Sequence, residues 1–497
     1  MNSRLFRWTL SALIAVAALT LFPSLTQAAD APAKPNIVFV LIDDLGWADL
    51  GCMGSSFYQT PNIDRLSAEG MKFTQAYAAC PVCSPTRASL LTGKYPVRLP
   101  ITDYIAGARR KKLIPADYLK ALPLEETTIA TPLKQAGYTT GYFGKWHLGG
   151  EPALPEKFGF DVNIGGYGAG SPKSYFSPFK NPELPDGPQG ESLDERLTQE
   201  AMKFIDGAAA SKTPFLVYLA HHTVHTPLQA KPEVVAKYKA KAEKLGEPNT
   251  PRFGKEHANE VRQVQDHAVY AAMIESMDNS VGALMKKLDD LKLSDNTVFV
   301  FTSDNGGLST SEGMPTSNLP LRAGKGWLYE GGVRVPLIIR YPAMVKAGST
   351  CDAPLTSPDF YPTMLALAGL PAMPQQHLDG VSFISLLKGT FPPPHAPLFW
   401  HYPHYGNQGG SPGSAIRDGD FKLIEFFEDG HVELYNLKDD LGEKTDLAAK
   451  LPEKAAELKQ KLDAWRTEVK ARFPTPNPQW NPNAPEQPRR QARPKKE

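Results

Sequence analysis

The chain has 497 residues, enough for about two to three domains of roughly 150 residues each. Hydrophobic residues make up 41% of the chain and charged residues 22%, so the composition excludes a disordered or fibrous protein. The formal net charge of +1 gives no broad electrostatic basis for binding nucleic acid, and four cysteines are too few for a disulfide framework. The composition therefore indicates a large globular protein, and we expect an enzyme.

Residues 1–29 have the three parts of a secretory signal peptide. Arg4 and Arg7 give a positive start, residues 8–22 are mainly apolar, and small residues before position 30 offer a cleavage site. The alternative is a membrane anchor, but the apolar stretch is shorter than the roughly 20 residues that span a bilayer. We therefore expect secretion or export to the periplasm, with no stable membrane span once the signal is removed.

Apolar runs rich in β-branched and aromatic residues predict strands that are buried on both faces. The four clearest runs are residues 36–42, 214–220, 297–302 and 335–340. Helical patterns lie between them, for example at residues 271–291. Strands that alternate with helices in this way predict a layered α/β domain, which we place at residues 34–390.

A smaller domain is predicted at residues 395–473. Short alternating segments between residues 414 and 437 indicate a small antiparallel sheet, and residues 452–473 have the pattern of an amphipathic helix. Prolines, asparagines and basic residues dominate residues 474–497, which is typical of a disordered tail.

Acidic and amide side chains directly follow two of the predicted strands. Asp43 and Asp44 come after the first strand, and Asp304 and Asn305 come after the third. Ligands of open α/β sheets gather at the carboxyl ends of strands, and adjacent carboxylates repel each other unless a cation neutralises them. Three carboxylates and one amide oxygen suit a hard cation such as calcium or magnesium. Helix caps and turns formed by Asp and Asn are an alternative that this pattern leaves open.

Residues 83–93 read Cys-Ser-Pro-Thr-Arg-Ala-Ser-Leu-Leu-Thr-Gly. This segment resembles the signature of the type I sulfatases, in which the cysteine of a C-x-P-x-R motif is oxidised to formylglycine. Cys83 and Arg87 stand at the cysteine and arginine positions of that motif. A disulfide or redox pair of Cys80 with Cys83 is the alternative in an oxidising compartment, but the spacing of the proline and arginine argues against it.

The resemblance covers residues 35 to 475 and implies the α/β sandwich of the alkaline-phosphatase superfamily. In that fold, helices cover a large mixed sheet, and a smaller C-terminal antiparallel sheet with a helix follows. The resemblance also implies a maturation enzyme that converts Cys83 to formylglycine (3-oxoalanine), whose hydrate acts on one bound divalent cation, usually calcium, with magnesium as the alternative. The implied catalytic residues are Cys83, Arg87, Lys145, His147, His225 and Lys325. The implied metal ligands are Asp43, Asp44, Cys83, Asp304 and Asn305.

The resemblance further implies how these residues share the hydrolysis of a sulfate monoester. His225, with Lys325 beside the bridging oxygen, would protonate the leaving alcohol. His147 would accept the proton that is lost when sulfate departs. Arg87 and Lys145 would hold the nucleophile and stabilise the developing negative charge.

The substrate is indicated by residues 398–405, which are rich in aromatic and imidazole side chains. Buried strands rarely carry so many polar tips, because each one needs a partner when it is desolvated. We hypothesise that this segment leans over the Cys83 pocket and recognises sugar hydroxyls, and the alternative is a strand with two surface histidines. The residues assigned to substrate binding are Asp103, His222, His401 and His404.

Export, a nearly neutral surface and such a wall favour a sulfated saccharide, or an aryl sulfate, over a steroid, which would need a continuous apolar pocket. Two other functions remain open. One is a phosphate or phosphonate ester hydrolase of the same superfamily, because phosphonate hydrolases can share the C-x-P-x-R segment. The other is a glycan-binding relative without catalysis.

Overall fold

The computed structural model describes residues 34–107, 109–390 and 397–481. The predicted signal peptide at residues 1–29, the predicted boundary near residues 392–394 and the end of the predicted tail lie outside these ranges. Within them, no helix combines the length and apolar character that a membrane crossing requires.

Strands and helices alternate along most of the described chain. The strands are β1 (Asn36–Ile42), β2 (Met71–Tyr77), β3 (Leu113–Ile114), β4 (Thr139–Gly144), β5 (Val162–Ile164), β6 (Phe215–Ala220), β7 (Phe253–Glu256), β8 (Asn259–Arg262), β9 (Thr297–Ser303), β10 (Arg334–Arg340), β11 (Ser349–Cys351), β12 (Leu355–Thr356), β13 (Leu398–Tyr402), β14 (Gly413–Asp418), β15 (Phe421–Phe426), β16 (Val432–Asn436) and β17 (Thr475–Pro476). The helices are α1 (Pro61–Glu69), α2 (Cys83–Thr92), α3 (Ala130–Gln135), α4 (Leu193–Ser211), α5 (Pro232–Leu245), α6 (Ala268–Asp290), α7 (Glu330–Val333), α8 (Phe360–Leu367), α9 (Ile384–Leu387) and α10 (Pro452–Glu468).

A large mixed sheet forms the centre of the fold. In the described ranges its strand order is β11-β2-β10-β9-β1-β6-β4-β5, and β12 also pairs with β2. The sheet is mixed because β10 runs antiparallel to both β2 and β9, whereas β1 is parallel to β6 and β9. In the β1–β9 register Ile42 lies opposite Ser303, so the segments that follow these two strands emerge side by side.

Helices cover both faces of this sheet, as β1 illustrates. All of its residues are buried. The alternate residues that start with Ile37 pack into a core with α2, α3 and α8, and those that start with Val38 pack into a second core with α1, α4 and α6. Burial of each large apolar side chain contributes about 1.5–3 kcal/mol. The continuous apolar run therefore forms a strand covered on both faces, and the predicted α/β sandwich is confirmed.

The predicted small antiparallel sheet is also present, in the order β13-β14-β15-β16. On one face Ile416 and Leu423 pack under α10. On the other face Trp400 and Ile424 pack with Tyr77 and with the segments that flank Cys83 and Lys325. The small sheet therefore supports the end of the large sheet where the candidate site lies.

The predicted end of the C-terminal helix and the predicted start of the disordered tail need correction. The C-terminal helix ends at Glu468 rather than at residue 473. The tail predicted to be disordered from residue 474 begins instead with a strand, because β17 pairs with β3 and the N–H of Asn477 donates to the Lys112 carbonyl at 3.0 Å. The backbone of this segment satisfies its hydrogen bonds on an available strand edge, which composition alone does not indicate.

Candidate active site

The polar residues at the ends of β1 and β9 meet in one buried cluster. Asp43, Asp44, Asp304 and Asn305 are all at most 1% exposed. The Asn305 side-chain amide donates to Asp44 Oδ1 at 2.8 Å, and the backbone N–H of Asp44 donates to Asp304 Oδ1 at 3.2 Å. Asp44 has a φ of 64°, in the left-handed region, which turns the chain sharply at the end of β1.

Three cationic side chains surround these carboxylates. Lys145 Nζ donates to Asp43 Oδ2 at 2.6 Å, and Lys325 Nζ donates to Asp44 Oδ2 at 2.8 Å. Arg87 donates to Asp304 Oδ2 at 2.8 Å, and its NH2 group lies 3.8 Å from Asp43 Oδ1. All three cations are buried, so they interact with the carboxylates at low dielectric.

The buried charges shift the carboxyl pKa values in different directions. Burial raises the pKa of Asp304 to about 6, with Arg87 opposing the shift and Asp43 adding to it. Burial also raises the pKa of Asp43. For Asp44, the positive charges led by Lys325 outweigh burial, so its pKa is lowered. The clustered Asp43 and Asp304 carboxyls therefore carry an electrostatic cost that a bound cation would relieve.

Cys83 is the first residue of α2, and Arg87 lies one turn later on the same face of that helix. Ligand atoms of Cys83, Asp43 and Asp304 all lie within 4.8 Å of one another. Burial raises the pKa of the Cys83 thiol to about 11, although Lys145 and Lys325 oppose the shift. The unmodified thiol is therefore protonated at neutral pH and is a weak nucleophile. Cys80 and Cys83 are both free cysteines, which rules against the disulfide alternative.

The predicted histidines approach the cluster from two loops. His147 is buried at a φ of 55°, and its Nε2 shares a hydrogen bond with the Ile105 carbonyl. His225 Nε2 lies 3.7 Å from Asp44 Oδ2. The hydroxyl oxygen of Tyr175 lies 2.6 and 2.7 Å from the carbonyl oxygens of His222 and His225, which share its single proton, and so fixes their loop.

His147, His222 and His225 are neutral at pH 7. Burial, supported by Lys145, lowers the pKa of His147 well below its usual value. Burial and the charge of Lys325 lower the pKa of His225 to about 4. Burial likewise lowers the pKa of His222, which does not line the cavity described next.

A cavity of about 280 Å³ opens above this cluster. Cys83, His147, His225 and Lys325 contribute to its wall. The other described residues of the wall are Tyr104, Ile105, Gly170, Ser171, Thr226, Glu312, Asn407 and Gln408. None of these eight residues was predicted from the sequence to belong to the site. Their one detectable signal is the glycine-rich stretch at residues 165–170, where the chain passes close to His147.

The predicted sugar-reading wall needs correction, because Asp103, His401 and His404 do not reach the cavity. His401 is buried in β13, where its ring nitrogens bond to the Ser414 hydroxyl and the Arg472 carbonyl at 2.7 and 2.9 Å. His404 Nε2 bonds to a threonine hydroxyl at 2.8 Å, and Asp103 accepts from a tyrosine hydroxyl at 3.1 Å. Each of these polar groups is thus satisfied by a neighbouring residue away from the cavity, and residues 407 and 408 of the following loop reach the cavity instead.

The fold and the site define an enzyme of the alkaline-phosphatase-like α/β class, with a buried acidic cluster at the carboxyl ends of two parallel strands. The family model for sulfatases matches residues 35–370, and the model for the C-terminal region of N-sulphoglucosamine sulphohydrolase matches residues 323–469. The chain therefore belongs to the sulfatase family, and it is a sulfatase by enzyme class.

Individual relatives agree with this assignment. A sulfatase of Formosa agariphila is 32% identical over 88% of this chain and 89% of its own length. The N-acetylgalactosamine-6-sulfatase of Mus musculus is 35% identical over 75% of this chain and 70% of its own length. The structure of Ps i-CgsB in complex with k-i-k-neocarrahexaose has a TM-score of 0.72 and 31% identity, and the match covers 90% of this chain and 94% of that chain.

Proposed function

We propose that this sulfatase hydrolyses a sulfate monoester on a saccharide, with formylglycine made from Cys83 and one divalent cation, Ca²⁺, at the acidic cluster. The observation that carries the proposal is the convergence of Cys83, Asp43 and Asp304 within 4.8 Å beneath a cavity whose wall includes Lys325 and His225. A dianion-like transition state requires fixed positive charge, which Arg87, Lys145 and Lys325 supply around this cluster.

The donor set fits a hard cation. Asp43 Oδ1 and Asn305 Oδ1 are buried, and neither has a hydrogen-bond partner among the described residues. Buried oxygen atoms without partners are costly, and oxygen ligands are those that calcium prefers. Asp43, Asp44, Asp304 and Asn305 would hold the cation next to modified Cys83. When bound, the cation supplies the charge that lowers the pKa of an oxygen nucleophile.

The buried thiol supports modification of Cys83. A thiol with a pKa of about 11 is not ionised at neutral pH, so the unmodified side chain would be a poor nucleophile. Formylglycine, produced by a separate maturation enzyme, supplies hydroxyl groups in place of the thiol. Conversion of Cys83 to formylglycine would therefore activate the enzyme.

The surrounding residues would divide the remaining work. Arg87 and Lys145 hold fixed positive charge beside the acidic cluster and would stabilise the charge on the nucleophile and the sulfate. His147 is neutral, and its buried Nδ1 has no hydrogen-bond partner among the residues that the structure describes, so it can accept a proton. His225 and Lys325 line the cavity on the side of Asp44. There they would interact with the oxygen of the alcohol that leaves when the sulfate ester is cleaved.

The saccharide assignment rests on the relatives and on the cavity. One relative is named for N-acetylgalactosamine-6-sulfate, and a similar structure holds a neocarrahexaose. The wall of the cavity carries hydroxyl, amide and carboxylate side chains instead of a continuous apolar surface. Such a wall suits the hydroxyl groups of a sugar. Export through the predicted signal at residues 1–29 would bring the enzyme to extracellular or periplasmic glycans.

The division of the chain into domains at residues 34–390 and 395–473 remains a prediction.

Paired esters of one chromogenic phenol test this function against its superfamily alternatives. We expect 4-nitrophenyl sulfate to be hydrolysed with a far higher kcat/KM than 4-nitrophenyl phosphate or phenylphosphonate. Cys83→Ala should remove the sulfatase activity, and Cys351→Ala, which alters another buried free cysteine, should retain it. A preference for the phosphorus esters, or activity that survives Cys83→Ala, would contradict the proposal.

A further inference from the structure

One acidic residue at the mouth of the cavity has no role in the proposed reaction. Among the described residues that line the cavity, Glu312 carries a carboxylate, and its side chain is exposed to solvent. It lies on the same wall as Lys325 and His225. A negative group beside a sulfate-binding site works against sulfate itself, so its position needs another explanation.

Neighbouring residues hold Glu312 in place. The chain turns at this point, where the N–H of Met314 donates to the Ser311 carbonyl at 2.9 Å. The side-chain amide of Asn407 donates to Glu312 Oε1, and that of Gln408 lies 3.5 Å from the same oxygen. Within the described ranges no donor reaches Glu312 Oε2, so this oxygen is free to accept a hydrogen bond from a bound molecule.

The charge of Glu312 acts on the cavity and not only on solvent. It contributes to the raised pKa of Tyr104, another residue of the cavity wall, for which burial is the largest cause. The cavity is therefore lined by both positive and negative side chains. The cations beside the acidic cluster suit the sulfate group, whereas the side of Glu312 suits a group that donates hydrogen bonds.

We propose that Glu312, supported by Asn407, recognises a hydroxyl or amide N–H of the sugar next to the scissile sulfate and disfavours sugars that carry a second anion there. The inference rests on the proposed saccharide function and adds a preference within it. A carboxylate gains a charge-assisted hydrogen bond from a hydroxyl, but it repels a second sulfate or a uronate. The favoured substrate is thus a monosulfated sugar unit whose neighbouring position is uncharged.

Three substrates separate this role from the others. 4-Methylumbelliferyl sulfate has no sugar hydroxyl and reports the chemical step. N-acetylgalactosamine 6-sulfate offers a free hydroxyl at position 4, and the 4,6-disulfate replaces that hydroxyl with an anion. For Glu312→Gln, we expect the kcat/KM ratio of the 6-sulfate to the aryl sulfate to fall by about tenfold or more. The ratio of the disulfate to the 6-sulfate should rise, because the repulsive charge has been removed.

Glu243→Gln is the matched control, since it removes one exposed carboxylate from α5. Its substrate ratios should equal those of the wild type. Equal losses on all three substrates would show that Glu312 acts through His225 or Lys325, and unchanged ratios would show that it reads no sugar group. Either result overturns the inference. A wild-type enzyme that cleaves the aryl sulfate but neither sugar would instead contradict the saccharide function, and this inference with it.

Discussion

Gly170 lies against the imidazole of His147 so closely that a single methyl group should disturb the site. A Cβ at position 170 would lie 2.4 Å from His147 Cε1 and 2.6 Å from its Nε2. Carbon atoms pack comfortably at about 3.5 Å, so the ring would have to move by about 1 Å. The ring cannot move freely, because it is buried and bonded to the Ile105 carbonyl. A displacement of this size in a catalytic group costs roughly 10²-fold in rate.

The assay is kcat/KM on 4-methylumbelliferyl sulfate, with the melting temperature measured in parallel. Gly150→Ala is the control, since its Cβ would meet no atom within 4 Å. We expect Gly170→Ala to lose about 10²-fold in kcat/KM while it remains folded, and Gly150→Ala to behave as the wild type. A Gly170→Ala enzyme with wild-type kcat/KM would contradict this prediction, because it would show that catalysis does not depend on the observed position of the His147 ring.

Four further predictions follow from other parts of the molecule. Gly207→Ala, on the exposed face of α4, should raise the free energy of unfolding in urea by about 0.5–1 kcal/mol, and a decrease would contradict it. Burial lowers the pKa of His401 to about 4, so the unfolded chain binds the proton first as the pH falls. Between pH 6.5 and 5 this one group should lower the free energy of unfolding by about 1.6 kcal/mol, and the drop in His401→Gln should be smaller by that amount. Asp304→Ala should lose activity that excess calcium does not restore, and chelation should inactivate the wild type; full activity after metal removal, checked by elemental analysis, would argue against the cation. Cys83→Ser should be folded by circular dichroism but nearly inactive if the maturation enzyme accepts only cysteine, and wild-type turnover by a variant whose residue 83 is shown by mass to remain serine would contradict a role for formylglycine.

The strands and the acidic cluster follow from local rules. An apolar run buried on both faces identifies β1 and β9, and the rule that ligands gather at carboxyl strand ends leads from there to Asp43 and Asp304. The parallel register of the two strands then brings these side chains together in the structure. Composition and periodicity would not have chosen Lys145 or Lys325 from among the other lysines, and the family resemblance was needed for them.

These local rules did not identify the residues that line the cavity. The sequence shows that His401 and His404 are polar groups in an apolar segment. It does not show that His401 finds its partners within the C-terminal region and that His404 finds its partner, a threonine hydroxyl, on the large domain. Glu312 carries no local pattern that marks it, and the glycine-rich stretch around Gly170 does not reveal that this glycine lies against His147, since each residue matters only through a contact with a loop distant in sequence. Long-range packing of this kind depends on the whole fold.

The most direct test of the account is the mass of the tryptic peptide that contains Cys83, taken from active enzyme purified from its native host. We expect a peptide whose mass matches an aldehyde in place of the thiol, in an amount proportional to the specific activity on a sulfate ester. A fully active preparation in which Cys83 carries an unmodified thiol would contradict it.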